Sequence, residues 1–278
     1  MKHIGFIDYY LDEWHANNYP KMIQELSQGE MKVSYAYGDV DAPTDVTSAQ
    51  WCEKNGIELI DSIESLVEKS DCIVVLSPDH PEHHVRLSEL ALASGKPVFI
   101  DKTFAPDVES GLKMFEIAEA NNTPMYSCSS LRFSNELASL EPEKISFMNI
   151  VGPGQPENYL IHQVEPIVAV MGPEITKMMF VGTEATPSWV LQFAGERAAT
   201  MTLFGDYSVP FSYAVGHKDG TSTYIPEATG YFDNFLKGMV EFFNDPVVPV
   251  QKAETMAIMK VLDKASEAKA RPGEWLTV

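Results

Sequence analysis

The sequence predicts an α/β protein in which an N-terminal doubly wound parallel sheet is followed by an α+β domain with an open, mostly antiparallel sheet. Short apolar strands alternate with amphipathic helices in the first half of the chain, which is the pattern of a parallel sheet covered by helices on both faces. Beyond about residue 135, strands rich in β-branched and aromatic residues follow one another closely, as in antiparallel sheets. We therefore predict two domains, residues 1–134 and residues 135–278.

Charge and cysteine content limit the classes of partner. The 278 residues include 20 basic and 40 acidic side chains, a formal net charge of -20. A nucleic-acid or anionic membrane partner needs a positive surface, so the expected partner is a small-molecule substrate. Three scattered cysteines fit neither a disulfide framework nor a paired-cysteine metal site, and no apolar run is long enough to span a membrane. These features predict a cytoplasmic protein.

The first predicted strand, residues 3–8, leads into a segment without glycines. A dinucleotide-binding fold places a glycine-rich turn here, because glycines let the backbone approach a pyrophosphate at a helix N-terminus. This chain instead has Tyr9, Tyr10 and Trp14. Any dinucleotide contact at Asp8 and Tyr9 must therefore differ from the usual one.

The second predicted strand, residues 32–37, is followed by Asp39. Dinucleotide folds often have an acidic residue at this place that binds the ribose hydroxyls. Gly38 and Asp39 are also ordinary turn residues, and the turn interpretation is the simpler one.

The densest polar segments follow two later apolar strands. Residues 72–76 have no polar alternation, which predicts a strand buried on both faces, and Ser77, Pro78 and Asp79 come directly after it. A helix and another apolar strand, residues 98–100, then lead to Asp101 and Lys102. Because ligands bind at the carboxyl ends of parallel strands, we expect both segments to line one cleft.

These residues resemble the glucose-fructose oxidoreductase, inositol dehydrogenase and MocA family (Gfo/Idh/MocA). Ser77-Pro78-Asp79 stands at the family's T-P-N segment, His84 at its histidine, and Asp101-Lys102-Thr103 at its E-K-P motif. The resemblance implies a Rossmann-like N-terminal domain that binds NAD or NADP. The implied cofactor-binding residues are Asp8, Tyr9, Asp39, Ser77, Pro78, Asp79, His84, Asp101 and Lys102.

A second segment resembles the helix on which the family binds its substrate. The family pattern is D-x-G-x-H-x-x-D, and His162 and Gly172 keep its spacing, while Asn158 and Glu165 replace the two aspartates. Residues three and four positions apart share a helix face, so Asn158 and His162 can contact one ligand. His162 is the predicted general acid/base, because imidazole titrates near neutral pH. The predicted substrate-binding residues are Asn158, Tyr159, Arg132 and Glu165.

The resemblance implies an NAD(P)-dependent oxidoreductase that acts on a hydroxyl of a sugar, cyclitol or related polyol. Lys102 and His162 are its predicted catalytic residues. The alternative is a divergent member without nicotinamide chemistry, either a ligand-binding protein or a cofactor-free or metal-assisted lyase or isomerase. By the same resemblance, the open sheet of the second domain predicts a homo-oligomer, a dimer or a tetramer.

Histidines and carboxylates near the predicted cleft raise one more alternative, a zinc or manganese site. Nitrogen and oxygen ligands of this kind suit such ions. The candidate ligands are Asp79, His80, His83 and His84, with Asp8, Asp12, Glu13 and His15 on the adjoining segment. Such residues are also common as caps and first-turn residues of helices, and on that interpretation no metal ligand is assigned.

Overall fold

A computed structural model describes residues 1–278 and divides them into two units. The first comprises residues 1–128 and 236–252, and the second comprises residues 129–235 and 253–278. The segment 236–252 joins the first unit although the sequence pattern groups it with the second half. Its helical part, residues 236–244, packs on the first sheet: the Phe242 ring packs edge-on against Tyr126, and the Lys2 ammonium donates to the Phe243 carbonyl.

The first unit contains a six-stranded parallel sheet. Its strands are Lys2–Asp8 (β1), Met31–Gly38 (β2), Glu58–Leu59 (β3), Cys72–Val75 (β4), Val98–Ile100 (β5) and Met125–Ser127 (β6). The connecting helices are Trp14–Leu26 (α1), Ser48–Asn55 (α2), Ile63–Lys69 (α3), His84–Leu92 (α4) and Val108–Ala120 (α5). The strand order β3-β2-β1-β4-β5-β6 confirms the predicted doubly wound sheet, and the strand order reverses between β1 and β4.

The second unit is built on a seven-stranded sheet. Its strands are Ile145–Pro153 (β7), Ile175–Phe180 (β8), Ser188–Phe193 (β9), Ala198–Phe204 (β10), Ser212–His217 (β11), Ser222–Ile225 (β12) and Leu276–Thr277 (β13). The helices of this half of the chain are Pro156–Met171 (α6), Tyr231–Asn244 (α7) and Lys252–Ala270 (α8). The order is β12-β11-β7-β10-β9-β8-β13, and only the β7–β10 pair is parallel. The predicted open, mostly antiparallel sheet is therefore confirmed.

Burial alternates along the strands of the second sheet, as expected for a sheet with one covered face. In β9 and β10 every second residue is buried, and the residues between are half-exposed. The buried face packs with apolar residues of α6 and α8 in one core. Two short edge strands, β12 and β13, escape the sequence pattern because each is too short to show alternation.

No helix of the structure combines the length and the hydropathy that a membrane span requires.

Candidate functional site

In the first unit, polar side chains gather where β1 and β4 end, at the point of strand reversal. Asp8 ends β1 and is 1% exposed, and its Oδ1 accepts a hydrogen bond of 2.9 Å from the Ser77 backbone N–H. Ser77 has φ +73, in the left-handed region, which directs its N–H toward β1. The second carboxylate oxygen of Asp8 is buried without a hydrogen-bond partner. Burial and then the charge of Glu13 raise the pKa of Asp8 well above its usual value.

The N-terminus of α1 is occupied by a side chain of the protein itself. The Glu13 carboxylate accepts from the backbone N–H groups of His15 and Ala16, and it also contacts the His15 Nδ1 at 2.8 Å. In dinucleotide-binding folds these N–H groups bind the pyrophosphate. Glu13 therefore places a negative charge where a phosphate would otherwise be held.

His15 connects this cap to the end of β5. Its Nε2 lies 3.8 Å from an Asp101 carboxylate oxygen that has no hydrogen-bond partner. Burial lowers the pKa of His15, but the charge of Asp101 and the contact with Glu13 outweigh that effect and raise it above its usual value. Asp101 and Glu13 therefore favour the protonated form of His15, an imidazolium between their two carboxylates.

Lys102 follows Asp101 and is held by the loop after β4. Its ammonium donates to the Pro78 carbonyl at 3.1 Å and lies 3.6 Å from the Asp79 carboxylate. The side chain is 12% exposed, so its charge is largely withdrawn from solvent. The structure thus brings together the two predicted segments, and Lys102 is a half-buried lysine rather than a fully solvated one.

Asp39 is engaged by a residue that the sequence does not single out. Arg86 on α4 donates to both Asp39 carboxylate oxygens at 2.8 Å, and the Tyr37 hydroxyl donates to one of them at 3.2 Å. The hydrogen bonds from Arg86 lower the pKa of Asp39. Asp39 borders a cavity of about 370 Å³ at the ends of β2 and β3. A ribose bound by Asp39 would therefore have to share it with Arg86.

The sequence predicts that His84 binds the cofactor, but the structure places its side chain in the interior. It is completely buried at the start of α4, and its two ring nitrogens face the backbone carbonyls of Leu76 and Phe104. Both nitrogens are thus used inside the protein. His84 joins the loop after β4 to the loop after β5, and its contribution to a site is to position these loops.

In the second unit, His162 on α6 is oriented by Ser129. The Ser129 hydroxyl lies 2.7 Å from the His162 Nδ1 and also accepts from the Leu131 N–H. Ser129 is fully buried, so this contact is protected from competing water. A hydroxyl can donate or accept, so it supports either protonation state of Nδ1 while it fixes the direction of Nε2.

Arg132 and Glu165 contact each other directly. Their ion pair is 2.6 Å long, the side chains are 9% and 1% exposed, and Arg132 also binds Glu254 at 3.0 Å. Burial raises the pKa of Glu165, and Arg132 and the Ser129 backbone N–H oppose that rise. Both were predicted to bind substrate, but the structure gives Glu165 a positioning role behind Ser129 and His162. Arg132 balances its charge.

Asn158 and Tyr159 lie at the exposed start of α6. Asn158 is exposed, while the Tyr159 ring packs edge-on against His162 at 5.1 Å between centroids. Gly154 makes this packing possible, because a Cβ there would lie 2.1 Å from the Tyr159 ring and its φ is +99. Tyr159 also borders a cavity of about 360 Å³ with Tyr207 and other residues. Tyr159 thus contacts His162 directly, and a role of Asn158 and Tyr159 in substrate binding stays a prediction.

Comparisons with known proteins agree with this architecture. Residues 38–127 match the family model described as "Oxidoreductase family, NAD-binding Rossmann fold", which is that of Gfo/Idh/MocA. The matched residues lie within the first unit of the chain. No curated protein matches its sequence.

Solved structures of similar fold extend over the whole chain. A probable dehydrogenase from Thermotoga maritima shares 14% identity at a TM-score of 0.80, with 99% of this chain and 98% of that chain covered. Myo-inositol 2-dehydrogenase from Lactobacillus plantarum shares 12% identity at a TM-score of 0.78, with 100% and 99% covered. GenD2 from gentamicin A biosynthesis, solved in complex with NAD, shares 9% identity at a TM-score of 0.78, with 100% and 97% covered. At these identities the likeness establishes the fold.

The residues of this chain fit a dinucleotide in one part and not in another. A cavity borders Asp39, and a carboxylate at the end of β2 suits a ribose. The N-terminus of α1 does not suit a pyrophosphate, because Glu13 already accepts from its N–H groups. A dinucleotide would need another set of donors for its phosphates.

Several residues that build these centres carry no clear signal in the sequence. Arg86, Ser129 and the pairing of Glu13 with His15 depend on contacts between separate elements or on the geometry of a loop. Glu13 can be predicted in part, because an acidic residue just before a helix is a recognised signal for the start of that helix.

Proposed function

We propose that this protein is an NAD(P)-dependent oxidoreductase of the Gfo/Idh/MocA family that acts on a hydroxyl of a sugar, cyclitol or related polyol. The observation that carries the proposal is the oriented imidazole of His162, held at Nδ1 by the buried Ser129 hydroxyl. Two proteins of similar fold support the substrate class and the cofactor, since one is a myo-inositol 2-dehydrogenase and another was solved with NAD.

His162 and Lys102 have the chemistry that this reaction needs from the protein. Oxidation of a hydroxyl releases a proton, and an imidazole that titrates near neutral pH can accept it. Lys102 carries a positive charge in a largely buried position, where it can stabilise a developing alkoxide and orient a hydroxyl. A bound nicotinamide would supply the hydride acceptor.

Calorimetric titration of the full chain with NADH, NAD, NADPH and NADP tests the cofactor directly. The expected result is saturable binding in the micromolar range. Glu13→Gln removes the negative charge at α1 and should tighten dinucleotide binding by about tenfold. Glu25→Gln, at the exposed end of the same helix, is the matched control and should change nothing. Absence of binding at millimolar concentrations in both the native chain and Glu13→Gln would rule the cofactor out.

A second candidate function is favoured by the occupied N-terminus of α1. A family member in which Glu13 replaces the phosphate contacts can work as a cofactor-free lyase or isomerase, with His162 moving a proton at a carbon next to a carbonyl. The test is deuterium incorporation into keto-inositols and keto-sugars in D₂O without added dinucleotide, followed by NMR. Exchange that disappears in His162→Ala supports this candidate, and exchange that requires NAD supports the first.

We also propose that the protein is a homo-oligomer that associates through the uncovered face of its second sheet. Asn149, Val151, Val190, Thr200 and Thr202 alternate with core residues and are half-exposed on that face. Light scattering should give a dimer or tetramer for the native chain and a smaller species for Val190→Asp. Val181→Asp, at a residue just after β8 that is 52% exposed, is the control. A native monomer would exclude the proposal.

The three cysteines support a cytoplasmic location for the protein. Cys52, Cys72 and Cys128 are buried thiols, as expected for a reducing compartment. Fractionation of the source cells with an antibody against the chain tests this location.

A further inference from the structure

Two histidines and a glutamate meet in the loop after β4. His80 precedes a single 3-10 turn, Pro81–His83, and Glu82 and His83 belong to it. The rings of His80 and His83 lie close together, with 6.0 Å between their centroids. One ligand atom from each of His80, Glu82 and His83 lies within 4.8 Å of the others.

The distances between these atoms match a tetrahedral metal site. Bonds of about 2.1 Å from zinc to nitrogen and oxygen imply about 3.4 Å between neighbouring ligand atoms. The His80 Nδ1 lies 3.1 Å from the Glu82 Oε1, and the His83 Nε2 lies 3.9 Å from that same oxygen. Small rotations of exposed side chains would bring both distances to the tetrahedral value.

The structure removes the simpler explanation for these side chains. Neither His80 before the 3-10 turn nor His83 before α4 makes a side-chain capping hydrogen bond. Of the other histidine and acidic residues in this loop, His84 is buried between two carbonyls and Asp79 is paired with Lys102. The candidate ligands are thus reduced to His80, Glu82 and His83.

The neighbouring side chains hold the two imidazoles in place. The nearby cations Lys102 and Arg86 are already paired with Asp79 and Asp39. The Tyr9 ring packs on His83 at 4.0 Å and near His80 at 5.1 Å between centroids, which limits the motion of both imidazoles. Ordered ligand side chains lose less entropy when they bind an ion.

We propose that His80, Glu82 and His83 bind one divalent transition-metal ion of the zinc class and leave one coordination position open. Two imidazoles and one carboxylate are a ligand set that zinc enzymes use with water or substrate in the fourth position. The site stands apart from the dinucleotide proposal, because it uses none of the residues assigned there to catalysis or to cofactor binding. Failure of one proposal leaves the other intact.

The test is calorimetric titration of the untagged, chelator-treated full chain with Zn²⁺, and with Co²⁺ for its visible spectrum. We expect one equivalent of Zn²⁺ to bind at about micromolar affinity or tighter, and Co²⁺ to show the intense bands of four-coordination. His83→Ala and His80→Ala should each weaken Zn²⁺ binding by at least about 10–100-fold, the loss that even an outer-sphere partner causes. Both side chains are partly exposed, so the melting temperature should stay within a few degrees of the native value.

His217→Ala is the matched control, because this histidine lies at the end of β11 and its Nε2 contacts the Thr223 hydroxyl at 2.9 Å. It should leave Zn²⁺ affinity and the Co²⁺ spectrum unchanged. Native protein that takes up no stoichiometric Zn²⁺ would overturn the proposal. Equal binding by the native chain and by His80→Ala and His83→Ala would also overturn it, since the ion would then be held elsewhere.

Discussion

The carboxylates of Asp8 in the first unit and Glu165 in the second are each 1% exposed, yet they have different partners. Glu165 lies 2.6 Å from the Arg132 guanidinium and accepts from a backbone N–H. Asp8 accepts from the Ser77 N–H on one oxygen and has no hydrogen-bond partner on the other, with the charges of Glu13 and Asp101 nearby. Burial raises both pKa values, but Arg132 opposes this at Glu165 and Glu13 adds to it at Asp8.

The difference separates a carboxylate with a structural role, Glu165, from one that is available for proton or cation binding, Asp8. A buried charge with a bound counter-charge is satisfied within the fold, whereas a buried carboxylate without one favours a proton or a cation. The second unit therefore uses Glu165 and Arg132 to support His162. The first unit keeps Asp8 without a counter-charge at the end of β1.

The largest expected effect is on Arg132. Arg132→Met leaves the carboxylate of Glu165 buried without its cation, so the free energy of unfolding should fall by about 3–5 kcal/mol. Urea denaturation measures the loss. The double variant Arg132→Met with Glu165→Gln should recover much of it, because no buried charge remains. A loss below about 1 kcal/mol in the single variant would mean that Glu165 does not depend on Arg132.

His162→Ala should lower turnover of any polyol substrate by at least about 100-fold, since it removes the general acid/base. The melting transition should be nearly unchanged, because the ring is only partly buried. Steady-state kinetics with myo-inositol as the first substrate, alongside thermal melting, measures both quantities. Unimpaired turnover would remove His162 from the mechanism.

Asp8→Asn should change how stability depends on pH. The pKa of Asp8 is raised in the folded state, so its contribution is fully present below the usual value of 3.8 and is lost as pH rises through the folded pKa. The variant lacks this loss and should become more stable relative to the native chain between pH 4 and pH 7. The gain is about 1.4 kcal/mol for each tenfold difference in proton affinity.

Asp12→Asn is the control for Asp8. Hydrogen bonds from Thr44 and Asn17 lower the pKa of Asp12, so its contribution is lost as pH falls and has the opposite sign. Denaturation midpoints at a series of pH values separate the two variants. The same pH dependence in Asp8→Asn and the native chain would show that ionisation of Asp8 does not lower the free energy of unfolding.

The smallest expected effect is at Ser129. Ser129→Ala removes the hydroxyl that orients His162 and should lower kcat by about tenfold with little change in KM, because Ser129 is fully buried and contacts the His162 ring. The pH profile of kcat should also shift. Ser134→Ala removes another buried serine hydroxyl, one that contacts Leu131 and Tyr213, and should leave the pH profile unchanged. Equal effects in both variants would assign Ser129 a purely structural role.

The sequence by itself determined the order of elements and the positions of the candidate residues. Apolar runs without polar alternation marked the buried strands β4 and β5, and the polar residues after them lie where such strands end. The spacing of His162 and Gly172 marked α6, whose C-terminal cap is Gly172. These features are local, because strand and helix periods are read from neighbouring residues.

Only the tertiary structure shows which of these side chains contact one another. Asp39 with Arg86, His162 with Ser129, and the burial of His84 between two carbonyls join residues that lie 47, 33 and up to 20 positions apart. It also showed that Glu13 occupies the N-terminus of α1, and that His80 and His83 make no capping contact. Distances through space between separate elements depend on how the elements pack, and no periodic pattern in the chain records them.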